Sequence, residues 1–210
     1  MCYDRAASIR ASVIGFASSV VLYNTGDPLI AQISVFFAFV TLMQVYDLIF
    51  WTYPGQNTTN RVFTQIAMIT NHLQPIVFAY LINRVIALNL TTVYIYAIVA
   101  ILYSIKVSNM IRYTGTTERE GLLLWEWNTP KEQGTFTMIM YTIFLIALID
   151  ISSQLPNGIS QLLIMINVFT FAFSKVYYKN TQIGRMWCNI AAYVPLLLLV
   201  YVKSKRDGIN

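Results

Sequence analysis

The chain has 210 residues, of which 57% are hydrophobic and only 11% are charged, with a mean hydropathy of +0.57. A soluble domain carries about 25% charged residues, so a water-facing globule of this size is excluded. An all-α polytopic membrane protein, a single bundle, is expected instead. The net charge of +5 does not point to nucleic acid. No run interleaves basic and aromatic residues into a groove, and cations near span ends follow from the positive-inside rule.

A membrane span needs about 20 mainly apolar residues. Seven stretches qualify, at 7–24, 30–52, 62–83, 91–111, 134–152, 158–178 and 184–202, and predict seven transmembrane helices in one domain over 1–210. The first follows Arg5 and Arg10 but lacks an Ala-x-Ala site, so it reads as a membrane helix rather than a cleaved signal. Ala7, Ala11, Gly15 and Ser19 make one of its faces small, which suits close helix packing in lipid. NTGDP, YPGQNTTN and SQLPNG are turns rich in Gly, Pro and Asn. The longest connector, RYTGTTEREGLLLWEWNTPKEQ at 112–133, is too polar to span. Its LLLWEW segment is too apolar to hang in water, so Trp125 and Trp127 are expected at the interface or against the helix ends, folding the connector over the bundle.

Let side A be the face that carries Arg5. With seven spans, side A also holds Arg10, Arg61, Arg112, Arg119, Lys131, Lys179 and Arg185, against Arg84, Lys203, Lys205 and Arg206 on side B. The excess predicts a cytoplasmic side A and N-terminus, although KSKR at the end of the last span argues the other way.

Polar residues inside spans usually face the bundle interior or a wet cavity. Asp47, Asn71, His72, Gln74, Lys106, Asn109 and Asn189 all fall in the half of the predicted membrane nearer side A, or at its middle. The side-B half is nearly pure hydrocarbon, as in LIAQISVFFAFV and VFAYLI. This arrangement predicts a polar pocket opening to side A and closed by an apolar plug. Asn71 and Gln74 are three apart and share a helix face. Pro75 lacks an N–H and crowds the carbonyl of Asn71, so it is the expected hinge. Lys106, Asn109 and Tyr113 form a stripe, as do Asn167, Thr170 and Ser174, and as do Gln44, Asp47, Leu48 and Trp51. Asp47, His72 and Lys106 are expected to meet. The alternative role for the same cluster is to lock helices together.

No catalytic set is recognisable. HExxH, GxSxG and P-loop signatures are absent. A lone His with Cys188 and Asp47 on other helices is a poor metal set, so no metal or cofactor is expected. The last span has no lysine for a retinal Schiff base. Cys2 and Cys188 are too few for a disulfide framework.

The pieces MC, LMQVYDLIFW, NHLQP, WEW and MWCNIAAYVP resemble uncharacterised small multi-pass membrane proteins of large DNA viruses and some protists. In that family the second helix tends to carry an acid before a Trp, as Asp47 and Trp51 do here. The resemblance covers most of the chain and implies a viral or host endomembrane address; it brings no activity with it. Gln74-Pro75 is the reverse of the Pro-Gln signature of PQ-loop transporters. The pocket residues suggest a transporter or channel for a small solute or proton, with the bilayer as the main partner. The other reading is a non-enzymatic structural or ligand-sensing membrane protein, such as a viral membrane component.

Overall fold

The computed structural model describes residues 4–55, 57–111, 116–119, 122–125, 134–178 and 183–206. Each of the seven apolar stretches falls on helix. In chain order these are α1 (Arg5–Tyr23), α2 (Pro28–Thr52), α3 (Thr58–Asn83), α4 (Thr91–Ile111), α5 (Gly134–Ser153) and α6 (Asn157–Tyr178), with α7 (Ile183–Ala191) and α8 (Val194–Arg206) sharing the last stretch. Three helices are long and apolar enough to cross a membrane: Arg5–Tyr23, Pro28–Thr52 and Trp187–Arg206, the last taken across its break. Thr91–Val107, Thr137–Ser153 and Asn157–Phe173 are shorter apolar helices.

Short polar side chains start the first three helices. Asp4 Oδ1 accepts from Ala7 N at 2.6 Å, Asp27 Oδ1 from Leu29 N and Ile30 N at 2.8 and 3.1 Å, and Asn57 Oδ1 from Asn60 N at 2.8 Å. Each satisfies backbone donors that have no carbonyl one turn earlier. Pro28 opens α2, where its missing N–H costs nothing. Gly26 and Gly55 turn the chain at φ 86° and 83°, conformations that L side chains rarely adopt.

The helices form a closed ring. Sequential neighbours pack together, α8 returns to α1, and α2–α7 and α3–α5 contacts cross the middle. The small face of α1 makes the closure tight. A Cβ on Gly15 would lie 2.5 Å from Thr41 Oγ1 and 2.9 Å from the Ala192 carbonyl oxygen. Only a residue without a side chain lets α1 lie against both α2 and the α7–α8 junction.

That junction corrects the expectation of one continuous last helix. Pro195 crowds the carbonyl four residues earlier, which belongs to Ala191, the last residue of α7. Turn bonds bridge the gap, Tyr193 N to Ile190 O at 2.9 Å and Leu196 N to Tyr193 O at 3.1 Å. Pro75, the expected hinge, does not interrupt α3, which is helical on both sides of it.

The surface is apolar where a membrane would touch it. Ile98, Ile101, Leu102, Phe169 and Val200 are 58–63% exposed. Inside, toward side B, Phe36 stacks on Phe78 with ring centroids 4.3 Å apart, closing that end with hydrocarbon. Toward side A the connector forms a two-stranded antiparallel hairpin, β1 (Thr117–Arg119) with β2 (Leu122–Leu124), which packs on α2.

Candidate intramembrane polar site

α3 supplies the centre of the site. Its buried face carries Asn60, Thr64, Asn71, His72 and Gln74, a set that hydrocarbon alone could not satisfy. Each finds protein partners. Trp187 Nε1 donates to Gln74 Oε1 at 2.8 Å, and Gln74 Nε2 to Cys188 Sγ at 3.7 Å. The Cys188 thiol donates to Asn71 Oδ1 at 3.5 Å, and Asn71 Nδ2 to Tyr141 Oη at 3.2 Å. Donors and acceptors thus run in one direction, from α7 to α3, back to α7, again to α3 and on to α5. Asn189, half-buried, donates from Nδ2 to Gln44 Oε1 on α2 at 3.2 Å.

His72 lies on the other side of the same turn. A carbonyl can only accept, so the 2.8 Å contact with Met68 O places a proton on Nδ1. Among the described residues Nε2 has no hydrogen-bond partner. The ring stacks on Tyr103 at 5.0 Å. Tyr96 Oη donates to the His72 carbonyl at 2.6 Å, bringing a donor to the turn that Pro75 disturbs.

Asp47 is fully buried and accepts from Trp125 Nε1 at 3.0 Å. Of the two expected placements, the interface or the helix ends, Trp125 takes the second: it is 1% exposed and packs against the last turns of α2. Its other anchor is Thr116, whose carbonyl accepts from Asn60 Nδ2 and whose N–H donates to Thr64 Oγ1, both at 2.9 Å. The hairpin is thus tied to the side-A ends of both α2 and α3. Trp127 lies outside the described residues.

Lys106 is exposed rather than buried. It stands on an exposed part of α4, whose inward stripe is Val93, Tyr96, Ala100, Tyr103 and Val107. The side chains of Asn109 and Ser174 lie outside the described residues, whereas Asn167 and Thr170 are buried as their stripe predicts. Sequence reasoning missed Asn60, Thr64, Tyr96, Tyr141 and Trp187. The threonine and amide spacing at the start of α3 was legible; which of the aromatics turned inward was not.

A cavity of about 20 Å³ lies between α5, α6 and α7, lined by Tyr141, Phe144, Asn167, Phe171 and Trp187 among others. It has room for a single water, whose share is about 10–15 Å³ by this measure. Asn167 Nδ2 donates to Leu163 O at 2.8 Å. Its buried Oδ1 has no partner among the described residues. The cavity touches Trp187 and Tyr141, the two ends of the hydrogen-bond series. Among the described residues no three His, Cys, Asp or Glu side chains group as a metal set would. No protein-family model, curated protein or solved structure matches the chain.

Proposed function

We propose that the chain is a multi-pass, seven-span integral membrane protein that carries a proton or small solute, resting in a closed state. The observation that carries this reading is the break at Ala192–Tyr193, just after Cys188 and Asn189 and their polar partners on α2 and α3. Broken helices at membrane depth recur where transporters hold ions and solutes, because freed backbone groups and half-helix ends meet the ligand there. Buried ionisable residues fit the same reading. Asp47 is the acid beneath the hairpin, and His72 Nε2 can accept a proton. The N-terminus is cytoplasmic in this scheme, by the excess of cations on side A, and the membrane is viral or host endomembrane, as the resemblance implies.

Closure has two parts. Trp125 occupies Asp47 from side A, and the Phe36–Phe78 stack fills the side-B end. Liposomes containing the purified chain and an internal pH-sensitive dye give the test. Flux is expected from the wild type, with a faster rate in Trp125→Phe, which loses the indole donor, and a loss in Asp47→Asn. No flux from either wild type or Trp125→Phe overturns the transport reading.

A second reading rests on a different observation: Asn71, Gln74, Tyr141, Trp187 and Cys188 satisfy one another directly across three helices. In that case the cluster locks the fold of a structural or ligand-sensing membrane protein. Its substitutions then change stability and leave liposome permeability unaltered.

A further inference from the structure

Three cations end α8: Lys203, Lys205 and Arg206, all exposed. The cation count assigns the opposite face to the cytoplasm, so topology alone leaves this side-B cluster without a role. Two open grooves flank it. One, of about 790 Å³ between α1 and α8, has Val20, Val21, Leu199 and Val202 along its apolar wall and Lys203 and Arg206 at its end. The other, of about 490 Å³, holds Lys205, Tyr201 and Asp27.

We propose that the groove between α1 and α8 binds an anionic phospholipid, its acyl chain along the valine and leucine wall and its headgroup phosphate at Lys203 and Arg206. The two halves of the groove match the two halves of such a molecule. Val20 and Val21 are 62% and 58% exposed, a wall that a free phosphate ion does not need. Among the described residues no acidic side chain lines this groove. Arg206 is already oriented, since Nη2 donates to Thr25 O at 2.6 Å. A guanidinium has five N–H donors, so others remain for a phosphate. Lys205 sits 5.5 Å over the Tyr201 ring and adds charge nearby. The second groove is the poorer site, because the Asp27 carboxylate there would repel an anion.

The proposal rests on the membrane reading and is independent of transport: a protein that moves no proton can still hold this lipid. The test is native mass spectrometry of the full chain in detergent, with phosphatidylglycerol and phosphatidylcholine of identical acyl chains added in equal amounts. Phosphatidylglycerol adducts are expected to dominate in the wild type. In the triple variant Lys203→Gln, Lys205→Gln, Arg206→Gln the preference should fall by about tenfold or more, since the cations that attract an anionic headgroup are gone. Val21→Trp, which blocks the apolar wall and keeps every cation, should lose most of it as well. Equal binding of the two lipids by the wild type overturns the proposal without reference to any variant. So does displacement of the lipid by inorganic phosphate, or an unchanged preference in Val21→Trp, which would leave only diffuse attraction to cations.

Discussion

Gln74 ties α3 to α7 twice, accepting from Trp187 and donating to Cys188. Hydrogen bonds between helices in a membrane contribute about 0.6 kcal/mol on average and up to about 1.7. Gln74→Leu and Trp187→Phe should each lower thermal stability in detergent. The double variant should lose less than their sum, by about the same 0.6 kcal/mol or more. Strict additivity would mean that the two side chains do not meet in the folded protein. The amide half of this pair was readable, because Asn71 and Gln74 are three apart beside a proline in an apolar stretch. Its partner was not. Nothing local distinguishes a tryptophan that donates inward from one that anchors at a membrane surface. Lys106 shows the same limit from the other direction. Spacing defines a stripe on α4 but not which way it faces, and Tyr96 and Tyr103 fill the inward positions.

Helices α3 and α7–α8 each contain a proline, and only one breaks. Pro75 and Pro195 obey the same local rule, losing an N–H and crowding the carbonyl four residues before. The difference is tertiary. Around Pro75 the phenol of Tyr96 reaches the backbone at His72. At Pro195 the chain turns between Ala191 and Val194, and the Ala192 carbonyl lies against the bare face of Gly15. Sequence therefore singled out Pro75 and passed over Pro195, because the surroundings that differ between them come from other helices. The small face of α1, by contrast, was legible as a four-residue repeat and is used as such. Gly15→Ala should cost about 1–3 kcal/mol, the usual range for overpacking, measured as a lower thermal midpoint. Adding Thr41→Ala should recover only part of the loss. It removes the side-chain clash and leaves the backbone oxygen of Ala192 in place.

The molecule as a whole is apolar outside as well as inside, with isoleucine, valine and leucine exposed and amides, a histidine and a carboxylate buried among a hydrophobic core. Composition alone announced the apolar exterior. It also announced the interior polarity, because polar residues in apolar stretches have nowhere better to face. The depth of the connector was not announced: LLLWEW reads equally well as a surface anchor and as a cap, and only the Asp47–Trp125 and Asn60–Thr116 bonds decide for the cap. Cys188 lies fully buried between this cap and the phenylalanine stack. In a Cys2→Ser background, maleimide should therefore label the native protein in detergent slowly and the denatured protein at once. Rapid native labelling would mean that the interior is open to water.

The Gly15 contact also has a consequence for biosynthesis. α7 and α8 have 9 and 13 residues, or roughly 14 and 20 Å of helix, each short of a hydrocarbon core about 30 Å thick. Neither half is a convincing insertion signal by itself. The surface that receives their junction is on α1, which is made before them. α1 can pack on α2 as soon as both are made, but the part of its small face that meets Ala192 stays open until α7 and α8 follow. During that interval a chaperone or the insertion machinery would have a bare glycine–serine face to hold, and ribosome stalling before residue 194 would leave that face unclaimed.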